Sequence, residues 1–345
     1  MALVLVLAAG LWGLGHMLRM PHAARFLTIG LLYVAVLAVN VALPEGHPLR
    51  EATGGSAGEW LVIAFLGAVG WAYSKGLGAL RQRVRPENRK ADAPDTSAVE
   101  LERNARHIVL RELGGPGQKR LKEARVLVIG AGGLGAPALQ YLAAAGVGTI
   151  GVIDDDVVAN SNLQRQVIHT DARIGMPKVF SAEVALKAQN PFVTVRPFNR
   201  RLTAEIAEDL FADFDLILDG TDDVETRYLV NEIAVRKGLP LVSAAISQWE
   251  GQISVFDPSR GAPCYACVFP EPAAAGLAPS CAEGGVLGPL PGVLGAMMAV
   301  EAIKVLTDAG DPLRGRMMIY DALYGDMRTI SAKRRSDCAI CGHVS

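Results

Sequence analysis

RVLVIGAGGLG, Arg125 to Gly135, is a short apolar run that closes on a cluster of glycines. Its spacing, Gly130-x-Gly132-x-x-Gly135, fits the dinucleotide fingerprint of a parallel α/β sheet. The first glycine allows the tight turn and the second lets the backbone approach a pyrophosphate. The third lets the following helix pack close to its strand. On its own the motif would suit a nicotinamide oxidoreductase, so its neighbours must decide whose phosphates it holds.

Outward from this run, strands and helices alternate from about Leu101 onward. RVLVIG, TIGVIDDD, VTVRPFN, DLILDGTDD and PLVSAA predict strands. APALQYLAAAG, PKVFSAEVALKAQN, AEIAEDLFADF and ETRYLVNEIAVRKG predict the helices between them. This is the pattern of a doubly wound, Rossmann-like α/β sheet. GQISVFDP and RMMIYDALYGDMRTISAKR predict added antiparallel strands, with a helix around GVLGAMMAVEAIKVL between them.

Asp154 ends the second strand about twenty residues past the last glycine, where the fingerprint places an acid for ribose hydroxyls. Up to this point NAD and ATP fit equally. NSNLQRQ (Asn160–Gln166) then offers amide and guanidinium donors on the nucleotide side, and Arg165 can hold phosphate bidentately. Lys178 opens a helix in GMPK, where an ammonium and a helix N-terminus together favour a triphosphate. Asp222, just past the strand DLILDG, is placed to carry Mg²⁺ opposite those phosphates. His169 and His107 read as structural.

Four of the five cysteines form two pairs, Cys264-Tyr-Ala-Cys267 and Cys338-Ala-Ile-Cys341. Four thiolates in two clips suit tetrahedral Zn²⁺ with no open position, which makes the metal structural. His343 stands beside this set as a bystander.

RNARHIVL, RVLVIGAGGLGAPALQYLAAAGVG, DDDVVANSNLQRQ, GMPK, DGTDD, EGQISVF, CYAC, GGVLGPLPGVLG and CAIC recur in order from about Arg103 to Gly342. In these stretches the chain resembles the MoeB/ThiF family, relatives of ubiquitin-activating enzymes. The resemblance implies adenylation of the C-terminal glycine of a ubiquitin-fold sulfur-carrier protein, for molybdopterin or thiamine biosynthesis. It implies ATP rather than NAD on Gly130, Gly132, Gly133 and Gly135, with Asp154 on the ribose. By position, Ser161, Asn162, Leu163, Gln164 and Arg165 line the nucleotide. Lys178 and Arg165 contact phosphates, and Asp222, with Asp223 beside it, handles Mg²⁺. Arg106 would reach into the partner subunit's site of a homodimer. Cys281 follows the proline-rich loop FPEPAAAGLAPS, where relatives carry the cysteine that receives the carrier covalently. The loop itself would cover the carrier's tail. Where the family has Cys-Thr-Asp-Asn, this chain has Gly220-Thr221-Asp222-Asp223, and Met298 replaces a frequent Gln.

Hydrophobic residues make up 50% of the 345, and the surplus sits in the first eighty. Met1–Leu18, Phe26–Leu43 and Trp60–Ser74 are apolar runs separated by short polar connectors. At 1.5 Å per residue the first two reach roughly 27 Å, close to a bilayer's hydrocarbon thickness. Met1 is followed by no basic region and no clear cleavage site precedes Arg19, which argues against a signal peptide. Three spans over residues 1–80 are therefore expected, then a basic and polar linker over 81–100 and the adenylating domain over 101–345. Arg19 and Arg25 mark the first connector, Arg50 alone the second, and six basic residues from Lys75 to Lys90 follow the third run. By the positive-inside rule the N-terminus is external and the enzyme domain cytoplasmic, in a multi-pass inner-membrane protein. His16 and Asn40 within the spans would face another helix rather than lipid. The net charge of −1 gives no reason to expect a nucleic-acid partner. Two rival readings are a nicotinamide oxidoreductase and a non-catalytic membrane scaffold that kept the nucleotide fold.

Overall fold

Val126 and Val128 of the opening run face one side of a sheet, Leu127 and Ile129 the other, and all four are buried. A strand covered on both faces has no solvent side, so its sequence stays apolar without alternation. The computed structural model describes the chain apart from residues 1, 19, 21, 55, 66–68, 70–72, 74, 76–95, 273–283 and 345. It divides into two compact units, Met1–Ala93 and Pro94–Ser345.

In the first unit, α1 (Ala2–Met17) and α2 (His22–Ala42) are followed by the short α3 (Pro48–Ala52), and residues 57–65 are again helical. Val4, Val36 and Trp60 form a small core. Asn40 does face protein: its Nδ2 donates to the Val36 carbonyl and to Thr53 Oγ1, both at 2.9 Å. Trp60 Nε1 donates to the Thr53 carbonyl at 3.0 Å. Among the described residues, Ala24–Ala42 and Pro289–Thr307 are long and apolar enough to cross a membrane. The second is 56% buried and is a core helix of the other unit. Helix α1, at 16 residues, is shorter than the roughly 20 that a span needs. Much of the third expected span, and the basic stretch from Arg81 to Lys90, lie outside the described residues.

The second unit opens with α4 (Thr96–Ile108) and α5 (Gly114–Glu123). Helix α4 therefore starts inside the stretch expected to be linker. Strands β1 (Arg125–Ile129), β2 (Thr149–Ile153), β3 (Thr194–Phe198), β4 (Leu216–Asp219) and β5 (Leu241–Ser247) run parallel in the order β3-β2-β1-β4-β5. Strands β6 (Glu250–Phe256), β7 (Arg316–Asp321) and β8 (Asp326–Ser331) extend the sheet antiparallel beyond β5. The doubly wound expectation and its antiparallel additions both hold.

Helices α6 (Gly135–Ala144), α7 (Lys178–Gln189), α8 (Ala204–Phe211), α9 (Val224–Lys237), the short α10 (Tyr265–Val268) and α11 (Pro289–Thr307) follow among the described residues of the unit. Leu139, Leu142, Leu186, Leu294 and Met298 from α6, α7 and α11 bury one sheet face with Val126, Val128 and Leu218. Phe211, Val230 and Ile233 from α8 and α9 bury the other with Leu127, Ile129 and Ile217. Crossover helices on both faces leave the carboxyl ends of β1, β2 and β4 open at one edge. Open α/β sheets bind ligands in that crevice.

Candidate active site

Gly130 closes β1 at φ +90°, in the left-handed region where a side chain is strained. A Cβ at Gly135 would collide with the Gly130 carbonyl oxygen, so α6 begins hard against the strand end. The Ala131 amide in this turn donates to Asp154 Oδ2 at 2.8 Å, and the Asp156 amide donates to Oδ1 at 2.9 Å. Asp154 is thereby fixed at the end of β2, with a lone pair on each oxygen left for a hydroxyl donor. Burial raises its pKa, opposed by the Lys178 charge and the two amides. His169 braces the same turn from behind. Its Nε2 lies 2.9 Å from the Ala131 carbonyl oxygen and its Nδ1 2.9 Å from Ser181 Oγ. A carbonyl only accepts, so Nε2 carries the proton and Nδ1 accepts from the hydroxyl. Burial lowers the His169 pKa, which fits its expected structural role.

Lys178 is the first residue of α7 and is buried. Its Nζ pairs with Asp156 Oδ2 at 2.6 Å, and its amide donates to the Asp156 carbonyl at 2.9 Å. Arg165 Nη1 donates to the Ser161 carbonyl at 3.0 Å, four residues back. Asp222 is exposed in the turn after β4. Asp223 caps α9, accepting from the Thr226 amide at 3.0 Å and from its hydroxyl. It also pairs with Arg201 at 3.3 Å. The Thr226 hydroxyl, more than the Arg201 charge, holds the Asp223 carboxyl below its usual range.

A cavity of about 740 Å³ opens among these groups, within the range of small-molecule sites. Gly130, Gly132, Gly133, Asp154, Asn162, Arg165, Lys178, Asp222 and Asp223 line it, as expected of a site. Gly135, Ser161, Leu163 and Gln164 are not among its lining residues, nor is Arg106, which is exposed on α4. Cys281 and most of its proline-rich loop lie outside the described residues. Gln166, the end of the NSNLQRQ run, lines the cavity too, and sequence reasoning missed Asp156, Arg201, Arg227 and Tyr265, which also line it. Asp156 shared the DDD run with Asp154, and its offset from the ribose acid could have marked it. Arg227 was legible only as a charge on an otherwise buried helix face.

Cys264, Cys267, Cys338 and Cys341 are all buried, and their sulfurs lie within 4.8 Å of one another. Zn–S bonds of about 2.3 Å in a tetrahedron place sulfurs about 3.8 Å apart. Sγ–Sγ distances of 3.8 Å (264–267) and 3.7 Å (264–338) match that cage, and the 3.3 Å between 267 and 341 is tighter. The Arg335 amide donates to Cys267 Sγ at 3.4 Å, the outer support a metal-bound thiolate takes. The donor set therefore fits zinc. Among the described residues, the other acidic or thiol cluster is Asp154–Asp156, and Asp222 is not part of it.

Residues 104–340 match the ThiF family. Over 247 residues the chain is 48% identical to a sulfur carrier protein adenylyltransferase of Thermus thermophilus, covering 70% of this chain and 91% of that protein. Over 241 residues it is 53% identical to a probable adenylyltransferase/sulfurtransferase, MoeZ, of Mycobacterium tuberculosis, covering 69% of this chain and 62% of that one. Among solved structures, E. coli MccB with AMPCPP and MccA superposes with a TM-score of 0.61 at 22% identity, covering 70% of this chain and 74% of that one. At that identity the likeness is one of fold.

Proposed function

The chain belongs to the ThiF family, and from that premise we propose that it is an ATP-dependent adenylyltransferase. Its substrate is the C-terminal glycine of a ubiquitin-fold sulfur-carrier protein, serving sulfur transfer to molybdopterin or thiamine. The observation that supports this most is the meeting of the glycine turn, Asp154, Arg165, Lys178 and Asp222 around one cavity. A nicotinamide oxidoreductase has no use for two cations and a second carboxylate gathered at its pyrophosphate end.

A C-terminal carboxylate is ionised at neutral pH, so attack on the α-phosphorus of ATP needs no general base. Alignment and neutralisation of the leaving pyrophosphate are what remain. The turn amides and the N-terminus of α7 supply fixed partial charge. Lys178, held by Asp156, and Arg165 supply two cations at the phosphate end. Asp154 accepts ribose hydroxyls, and Asp222 is the carboxylate that would hold Mg²⁺. Magnesium, when bound, neutralises charge developing on the phosphates. Arg106 would complete the site of the second subunit in a homodimer. Zinc on the four cysteines is structural. Residues 1–80 would anchor the enzyme to the membrane with its catalytic domain on the cytoplasmic side.

ATP–pyrophosphate exchange driven by a carrier tail ending in glycine tests the activity. Lys178→Ala and Asp222→Ala should each lower exchange by about 10²–10³-fold, the usual cost of a lost charge-stabilising group, with the folded state retained by circular dichroism. Near-normal exchange in both variants would move the reaction away from this cavity.

A further inference from the structure

The turn bearing Asp222 is held from both sides of one residue. Asp219 Oδ1 accepts the Thr221 amide at 3.1 Å, and the Arg227 guanidinium donates to the Thr221 carbonyl. That carbonyl belongs to the peptide that joins Thr221 to Asp222, so Arg227 fixes the plane from which Asp222 projects. Arg227 is itself buried and its Nη1 donates to Ser243 Oγ at 2.8 Å and to the Ala244 carbonyl at 3.1 Å. Its Nη1 lies 3.2 Å from Asp219 Oδ2, on a carboxylate with no solvent exposure. A buried ion pair is weak evidence of stabilisation but strong at fixing geometry when each partner is fully hydrogen-bonded.

The open face of the guanidinium is covered by Tyr265, whose ring centroid lies 5.7 Å from Arg227 Cζ. Tyr265 sits between Cys264 and Cys267, inside the first cysteine pair. Its amide donates to Asn231 Oδ1 at 2.8 Å, one turn along α9 from Arg227. Tyr228 on the same helix meets the Tyr265 ring edge-on at 5.2 Å and donates to the Phe269 carbonyl at 2.8 Å. The cysteine clip and the Asp222 turn are thus joined by an unbroken series of packed and hydrogen-bonded groups.

We propose that Arg227 is a positioning residue for Asp222, and that Tyr265 makes the four-cysteine clip part of the nucleotide site through the stacked Tyr265–Arg227–Thr221 contacts. The inference rests on the adenylation reading, which puts nucleotide in this cavity. Binding at one end then favours the ordered state at the other, and the coupling is reciprocal. Mg²⁺ and ATP should hold the clip closed, and a loosened clip should weaken binding of the magnesium–nucleotide complex.

The test is zinc release from the full-length protein to a colorimetric chelator, with and without saturating Mg²⁺ and ATP, alongside calorimetric titration of ATP. In the parent protein, nucleotide should slow zinc release by about tenfold, within the usual span of coupling between sites. Arg227→Lys keeps the charge but loses the fork, and Tyr265→Leu leaves all four cysteines in place. Both should retain one zinc by elemental analysis and lose the nucleotide effect on its release. Should Arg227→Lys fail to fold, Tyr265→Leu decides alone. Protection that persists in Tyr265→Leu, or a parent protein that binds ATP without slowing zinc release, would overturn the coupling. Preparations that hold no metal would overturn its clip end. A parent protein that binds no ATP would instead overturn the adenylation reading.

Discussion

His169 holds the nucleotide turn through a buried imidazole, and burial is what penalises its protonated form. Its Nδ1 now accepts from Ser181 Oγ, and protonation would make that hydroxyl turn its hydrogen away and accept instead. Because burial lowers its pKa, the folded state binds the proton more weakly than the unfolded chain. The stabilisation is therefore complete above the ordinary histidine value of about 6.5 and is lost as pH falls from there toward the lowered folded value. Asp154 has the opposite sign. Its pKa is raised, so its contribution is full below the ordinary carboxylate value and is lost as pH rises through the folded one. Urea midpoints between pH 8 and pH 5 should fall on acidification in the parent protein, and His169→Asn should flatten that slope. A slope unchanged in His169→Asn would assign the titration to another group.

At the scale of elements, the departure of Asp223 from the family's amide has a local explanation. It caps α9 through the Thr226 amide, a role Asn fills about as well as Asp. Asp223→Ala should cost about 1 kcal/mol in unfolding free energy, and Asp223→Asn should recover most of it. Equal losses in both variants would show that the Arg201 pair, and not the cap, is what matters. The strands and crossover helices were legible because burial on both faces writes long apolar runs and helical periods into the chain. Gly114–Glu123 was not, because three glycines and a proline contradict helix propensity. Packing overrides them: Leu121 is fully buried and Gln118 Nε2 donates to the Ala145 carbonyl at 2.8 Å. In the site, Gly130, Asp154, Arg165, Lys178 and Asp222 follow strand ends and helix starts, positions a sequence marks. Arg227 and Tyr265 act through partners brought in by folding, such as Tyr265 on Asn231, 34 residues away. Local spacing holds no trace of such pairs.

For the molecule as a whole, the cysteine clip closes a long loop, since Cys264 and Cys338 are 74 residues apart. Metal binding that joins such distant segments becomes folding energy. Cys338→Ser should abolish the zinc found by elemental analysis and lower the thermal midpoint by several degrees, each kcal/mol being worth roughly 2–4 °C at this size. Cys281→Ala should change neither, and zinc retained in a Cys264→Ser, Cys338→Ser double variant would reject the ligand set. The unit Met1–Ala93 poses the other whole-molecule question. Leu27, Leu31, Val34 and Val41 are all exposed on α2, while Asn40 and Val36 are buried. A helix that leaves this many large apolar side chains exposed while burying an asparagine is not what water selects. If lipid covers that surface, the full chain should stay in the pellet after alkaline carbonate. Leu31→Lys with Val34→Lys should release it, because each lysine at a span's centre costs about 2.5–3.5 kcal/mol on the insertion scale. Reporter fusions at the N-terminus and after Glu51 then read the orientation that the Lys and Arg distribution implies: external at the first position and external again at the second. A full chain extracted by carbonate would remove the anchor, and a cytoplasmic reporter after Glu51 would reverse the topology while leaving the anchor in place.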